Sequence, residues 1–107
     1  GMPILEAMAC GVPAMATNWS ACTTFLNQAN GYPLPYHLVA ADSQNRYPRG
    51  APWAEPDAMA FVEQLRWVAA HPEARAAKGR QAAIDALAWT WDHAVEIVLK
   101  NIRSYGF

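Results

Sequence analysis

The chain has 107 residues, 53% of them hydrophobic, and a formal net charge of -1. That length allows one domain at most, and the composition supplies a core and argues against disorder. The charge gives no basic surface for nucleic acid or an acidic membrane, and no apolar run approaches the roughly 20 residues that span a bilayer.

In chain order, the first element is a short apolar helix over Pro3–Cys10. Proline suits its first turn, and Gly11 followed by Pro13 is a common stop. The helix carries one carboxylate, Glu6, expected in or near its first turn. Glu6 also interrupts the opening apolar stretch, and no basic leader precedes it, so the segment does not read as a signal peptide. Val12–Thr17 is a nearly continuous apolar run, as expected of a buried parallel strand. Asn18-Trp19-Ser20 follows at the strand's C-terminal end, where open α/β sheets place their ligands. Ser20–Asn27 has room for one or two helical turns. Asn30-Gly31 is a turn, and Gly31–Leu34 a short extended segment.

Residues 35–53 hold Pro35, Pro48, Pro52 and Gly50 with weak periodicity. They read as a long surface loop with room for one strand at Tyr36–Ala40. A helical tail over 56–105 follows. Pro56 opens its first helix, with Glu55 or a neighbour as cap and Ala58, Val62, Leu65 and Val68 or Ala69 on one face. His71-Pro72-Glu73 restarts a second helix to about Leu87, Ala-rich, with Gly79 near its middle. Thr90 is a plausible N-cap for a third, lined on one side by Trp91, Ala94, Val95, Val98 and Ile102.

Few residues suggest chemistry by type and spacing alone. Cys10 and Cys22 lack metal-ligand spacing and read as reduced thiols. His37, His71 and His93 have no ligand-like spacing, and no phosphate-binding or dinucleotide glycine motif is present. The five tryptophans lack basic interleaving and are expected in core or inter-domain packing. Glu6 is different. A carboxylate near a helix N-terminus is favoured by the helix dipole by about 0.3–1 kcal/mol, which is reason enough for its presence. The same N-terminus attracts a diphosphate, and an acceptor-only carboxylate suits the two hydroxyls of a ribose.

The run Gly1-Met2-Pro3-Ile4-Leu5-Glu6-Ala7-Met8-Ala9-Cys10-Gly11-Val12-Pro13 resembles the donor-site segment of retaining glycosyltransferases of the GT-B fold, the large group often called family 4 or glycosyl transferases group 1. Their motif is E-x7-E, commonly E-G-F-G-L-P-x-L-E-A-M-A-C-G-x-P. Glu6 matches its second glutamate, and the first would lie before this chain begins. Later pieces follow in the family's order: Thr17-Asn18 to Phe25-Leu26, Asn30-Gly31-Tyr32, Trp53-Ala54-Glu55-Pro56-Asp57, His71-Pro72-Glu73-Ala74-Arg75 to Gly79, and Trp89-Thr90-Trp91-Asp92. Ala21 and Thr24 depart from the family's Gly-x-x-Glu turn.

The resemblance implies an α/β fold, the C-terminal part of a Rossmann-like nucleotide-binding domain, helix-rich, with about two parallel strands across residues 1–107. It implies transfer of a sugar from a nucleotide-diphosphate sugar to an acceptor, with no cofactor and no metal. Glu6 would bind the donor's ribose, and Gly1, Met2 and Pro3 would lie beside its diphosphate and sugar. Asn18, Trp19 and Ser20 would form the pocket rim. No residue of the chain is expected to be catalytic, and the N-terminal acceptor domain lies outside it. The chain alone is therefore expected to be silent in transfer and to associate with itself, through a strand edge or the last helix. A cytoplasmic location, peripheral to a membrane in the parent enzyme, goes with this reading. Three other readings stand beside it: a non-catalytic nucleotide-binding remnant, an oligomerising interaction module, and a sugar-nucleotide epimerase.

Overall fold

The computed structural model describes residues 1–41 and 50–106. Their order is α1 (Met2–Ala9), β1 (Met15–Thr17), a 3-10 helix at Ser20–Thr24, β2 (Tyr32–Leu34), β3 (Tyr36–Ala40), β4 (Pro52–Pro56), α2 (Ala58–Ala70), α3 (Pro72–Ala86) and α4 (Trp91–Ser104). The chain is a mixed α/β structure. β1 and β2 pair in parallel, with Met15, Ala16 and Thr17 opposite Tyr32, Pro33 and Leu34. β3 and β4 form a separate antiparallel pair.

The helix ends follow local chemistry. Gly1 caps α1, and Pro3 lies in its first turn. The helix stops where Gly11 takes φ 74°, with Gly11 N–H donating to the Met8 carbonyl and Val12 N–H to that of Ala7. This pair of bonds is a Schellman stop, and glycine carries no Cβ penalty at such a φ. Asp57, not Glu55, caps α2 by accepting from Ala60 N–H at 2.9 Å. Pro56 belongs to β4 instead of opening the helix. Thr90 caps α4 as expected, accepting from His93 N–H at 3.2 Å.

The core is small. Met8, Phe25, Leu26 and Ala82 form it, with Ile4, Leu5, Ala14, Ala16, Cys22 and Ala86 packed around them. α1 thus packs against α3, and Ala14 and Ala16 bring the β1 segment to the same core. Gly79 explains how close α3 comes, because a methyl there would overlap the Gly11 carbonyl and touch Pro13. Asn30 is fully buried. Its Nδ2 donates to the Phe25 carbonyl and to Asp85 Oδ2, each at 2.8 Å, and its Oδ1 accepts from Asn27 N–H. The expected turn at 30–31 is therefore tied into the core and to α3.

Several expectations are corrected. The strand allowed at Tyr36–Ala40 is present as β3, but the loop expected over 35–53 ends early, because Pro52–Pro56 pairs with it as β4; residues 42–49, including Pro48, lie outside the described residues. β1 is shorter than Val12–Thr17, since Pro13 lacks an N–H for the ladder and Val12 N–H turns back to α1. The expected inward face of α2 holds only at Val68. Val62 and Leu65 are 43% and 45% exposed, and the half-buried residues are Ala60, Gln64 and Val68. None of the five tryptophans is buried: Trp19 is half-buried and the rest are exposed. Among the described residues no helix is long and apolar enough to cross a membrane.

Candidate functional site

The start of α1 comes close to the segment that follows β1: a Cβ on Gly1 would lie about 3.0 Å from the Phe25 ring. The sequence singled out both stretches, Gly1–Met2–Pro3 and Asn18–Trp19–Ser20. Asn18 N–H donates to the Leu34 carbonyl, and Trp19 N–H to that of Thr17. The Cys22 thiol donates to the carbonyls of Thr17 and Trp19, at 3.1 Å each. Ser20 has φ 62°, alone among the described non-glycine residues in being positive. Side chains other than glycine rarely adopt that conformation, and such residues cluster at functional sites.

Glu6 lies in the second turn of α1, not the first, and α1 has no acidic residue in its first turn. The dipole argument for its presence therefore weakens, because that effect fades beyond one turn. Its side chain is exposed and has no hydrogen-bond or ion-pair partner among the described residues. It stands on the wall of a cleft of about 390 Å³. Met2, Leu5 and Ala9 share this wall, and Trp89, Thr90, Trp91, His93 and Ile97 face them. Phe25 fixes Trp89 edge-on, with ring centroids 5.7 Å apart.

The cleft is therefore mostly apolar, with Glu6, Thr90 and His93 as its polar side chains. Thr90 is committed to capping α4, and His93 Nδ1 lies 3.8 Å from Glu96. Glu6 is the uncommitted acceptor. No lysine or arginine lines the cleft among the described residues. It offers acceptor oxygens and flat aromatic surface but no cation for a phosphate. Of the residues singled out from sequence, the structure brings Met2 and Glu6 together in this cleft. It leaves Asn18, Trp19 and Ser20 at the end of β1, outside the cleft lining. The facing wall from α4 was not foreseen, because nothing in the sequence relates residues 89–97 to Glu6.

A second cleft, of about 480 Å³, lies at the start of β2. Tyr32, Trp67 and Lys78 line it with Gln28, Glu63 and Gln64. Lys78 donates to the carbonyls of Gln28 and Gly31, and its Nζ lies 4.5 Å from the Tyr32 ring centroid. Burial lowers the Lys78 amine below its ordinary value of 10.5. Burial raises the Tyr32 phenol above 10.0, opposed more weakly by Arg75. The Tyr32 hydroxyl is buried and has no partner among the described residues.

Comparison of the chain with protein-family models, with curated proteins and with solved structures returned no match. The class that the fold and site define is accordingly coarse: an α/β chain with an apolar cleft and one free carboxylate on its wall.

Proposed function

We propose that this chain forms part of the donor-nucleotide side of a Rossmann-like glycosyltransferase, with Glu6 accepting the two ribose hydroxyls of a nucleotide-diphosphate sugar. The observation that carries the reading is the free Glu6 carboxylate on a cleft large enough for a nucleoside. The resemblance of residues 1–13 to the donor segment of such enzymes supports it. So does Met2, which brings the start of α1 to the same cleft.

The division of labour follows from the residues present. Glu6 selects the sugar of the nucleoside, and Trp89 or Trp91 offers a face for its base. The cleft carries no cation to stabilise a departing diphosphate, so the chain by itself contributes binding and no turnover. Calorimetric titration with uridine, guanosine and adenosine diphosphates tests this. At least one should bind saturably, and Glu6→Ala should weaken it by about ten- to a hundredfold, the effect of removing a charged hydrogen-bond partner. Glu6 makes no contact that would be lost on substitution, so thermal stability should move by less than about 0.5 kcal/mol. Equal affinity in both proteins would remove Glu6 from the site.

A further inference from the structure

α4 is the most amphipathic helix of the molecule, and none of its residues is buried. At about 100° per residue, Trp91, Val95, Val98, Leu99 and Ile102 form one stripe along it. These five side chains are between 43% and 75% exposed. Trp91 alone among them lines the Glu6 cleft; the others face away from it. An apolar stripe of three turns in water is a surface that seeks a cover.

We propose that the cover is α4 of a second copy of this chain, packed antiparallel about a two-fold axis. The order of charges selects that arrangement. Asp92 and Glu96 occupy the first half of the helix, and Lys100 and Arg103 the second. On the helical wheel Asp92, Glu96 and Arg103 border the stripe on the same side. In an antiparallel pair, like borders meet, and each runs opposite to its mate. Asp92 of one copy then faces Arg103 of the other, twice. A parallel pair would instead set this border against the uncharged Ala94–Asn101 side of its mate, so Arg103 would meet no acid. The antiparallel register gains two Asp92–Arg103 pairs against one Glu96–Glu96 approach near the axis.

Side-chain size agrees. The small Val95 and Val98 lie at the centre, where two helices approach most closely. Trp91 of one copy covers Ile102 and Tyr105 of the other, and Tyr105 is 81% exposed without a partner. The charged border has two acids and one base, unlike the lysine- and arginine-rich face of a helix that lies on anionic lipid. At 14 residues, or about 21 Å, the helix pair falls in the small interface class, whose complexes are weak and transient.

Sedimentation equilibrium from about 1 µM to about 1 mM tests the pairing. The wild-type chain should pass from monomer to dimer, and Val98→Glu should stay monomeric with unchanged circular dichroism. Asp92→Arg and Arg103→Glu should each weaken the homodimer by about three- to thirtyfold, since each substitution breaks two symmetry-related pairs. Mixing these two variants should restore dimer, because attractive pairs return in the mixed species. That comparison holds each helix's own dipole constant. A wild-type monomer throughout the range would overturn the proposal, and so would a dimer indifferent to Val98→Glu. Failure of the mixture to recover would overturn the antiparallel order. So would a monomer whose α4 is protected only on phosphatidylglycerol vesicles, which would make the occupant a bilayer. None of these readings involves nucleotide, so they stand or fall apart from Glu6.

Discussion

Asn30 and Tyr32 show how much depends on single side chains at the start of β2. Asn30→Ala would leave the Phe25 carbonyl and the Asn27 N–H without their side-chain partner in a buried place. We expect a loss of about 2–4 kcal/mol in urea unfolding, with Asn30→Asp worse, since it removes the donor and sets a carboxylate against Asp85. Tyr32 predicts a pH dependence. Its folded phenol titrates above 10.0, so its contribution is present below that pH and is lost as pH climbs through the raised value. Lys78 works in the opposite sense, because its folded amine titrates below 10.5. Its contribution is lost as pH falls through the lowered value and is present above 10.5. Tyr32→Phe should therefore abolish the alkaline fall while keeping the Lys78 rise. At neutral pH it should cost nothing, or stabilise by up to about 1 kcal/mol, by deleting a buried hydroxyl without a partner. Urea midpoints from pH 8 to pH 11 separate the two groups. A variant that falls with pH as wild type does would exonerate Tyr32.

At the scale of elements, the helices were legible because their ends carry chemistry: Pro3 with Gly11, Pro72 after His71, and Thr90 before α4. The parallel strand was legible as an apolar run. β3 was legible as the one strand of the loop, but its partner β4 was not, because prolines stand at both its ends, Pro52 opposite Ala40 and Pro56 opposite Tyr36, and most of its residues are exposed. Neither alternation nor strand composition marks such a strand, and prolines at strand ends look like loop. The inward face of α2 was misread because its apolar residues ring the helix, so counting them does not decide which side packs. Gly79 was noted in sequence only for its place near the middle of α3, whereas it permits the contact with the Gly11–Pro13 turn. Gly79→Ala should cost about 1–3 kcal/mol, although alanine is the better helix former by about 1 kcal/mol. A higher melting temperature in this variant would mean that α3 stands further from α1 than the structure has it. For the candidate cleft, Glu6 and Met2 had been singled out from a motif, while Gly1 and Pro3 from the same motif lie outside its lining. Trp89, Thr90, Trp91 and His93 were not, because only the docking of α4 brings them opposite α1.

At the scale of the molecule, the described chain is a slab of 53 × 40 × 18 Å with a radius of gyration of 17.1 Å. A compact domain of this length would have about 13 Å. A slab buries little, which accounts for a core of few side chains and for tryptophans that sit on the surface. It also leaves α4 with an uncovered stripe, the surface on which the proposed self-association rests. The central claim, however, is that Glu6 reads a ribose diol. The most direct measurement is a double comparison by calorimetry: wild type and Glu6→Ala, each with the best-binding nucleoside diphosphate and with its 2′-deoxy form. We predict that loss of the 2′-hydroxyl weakens wild type by about tenfold, near 1.4 kcal/mol, and leaves Glu6→Ala indifferent. If the deoxy form loses the same affinity in both proteins, or if no diphosphate binds wild type at all, Glu6 does not hold a ribose and the account is contradicted.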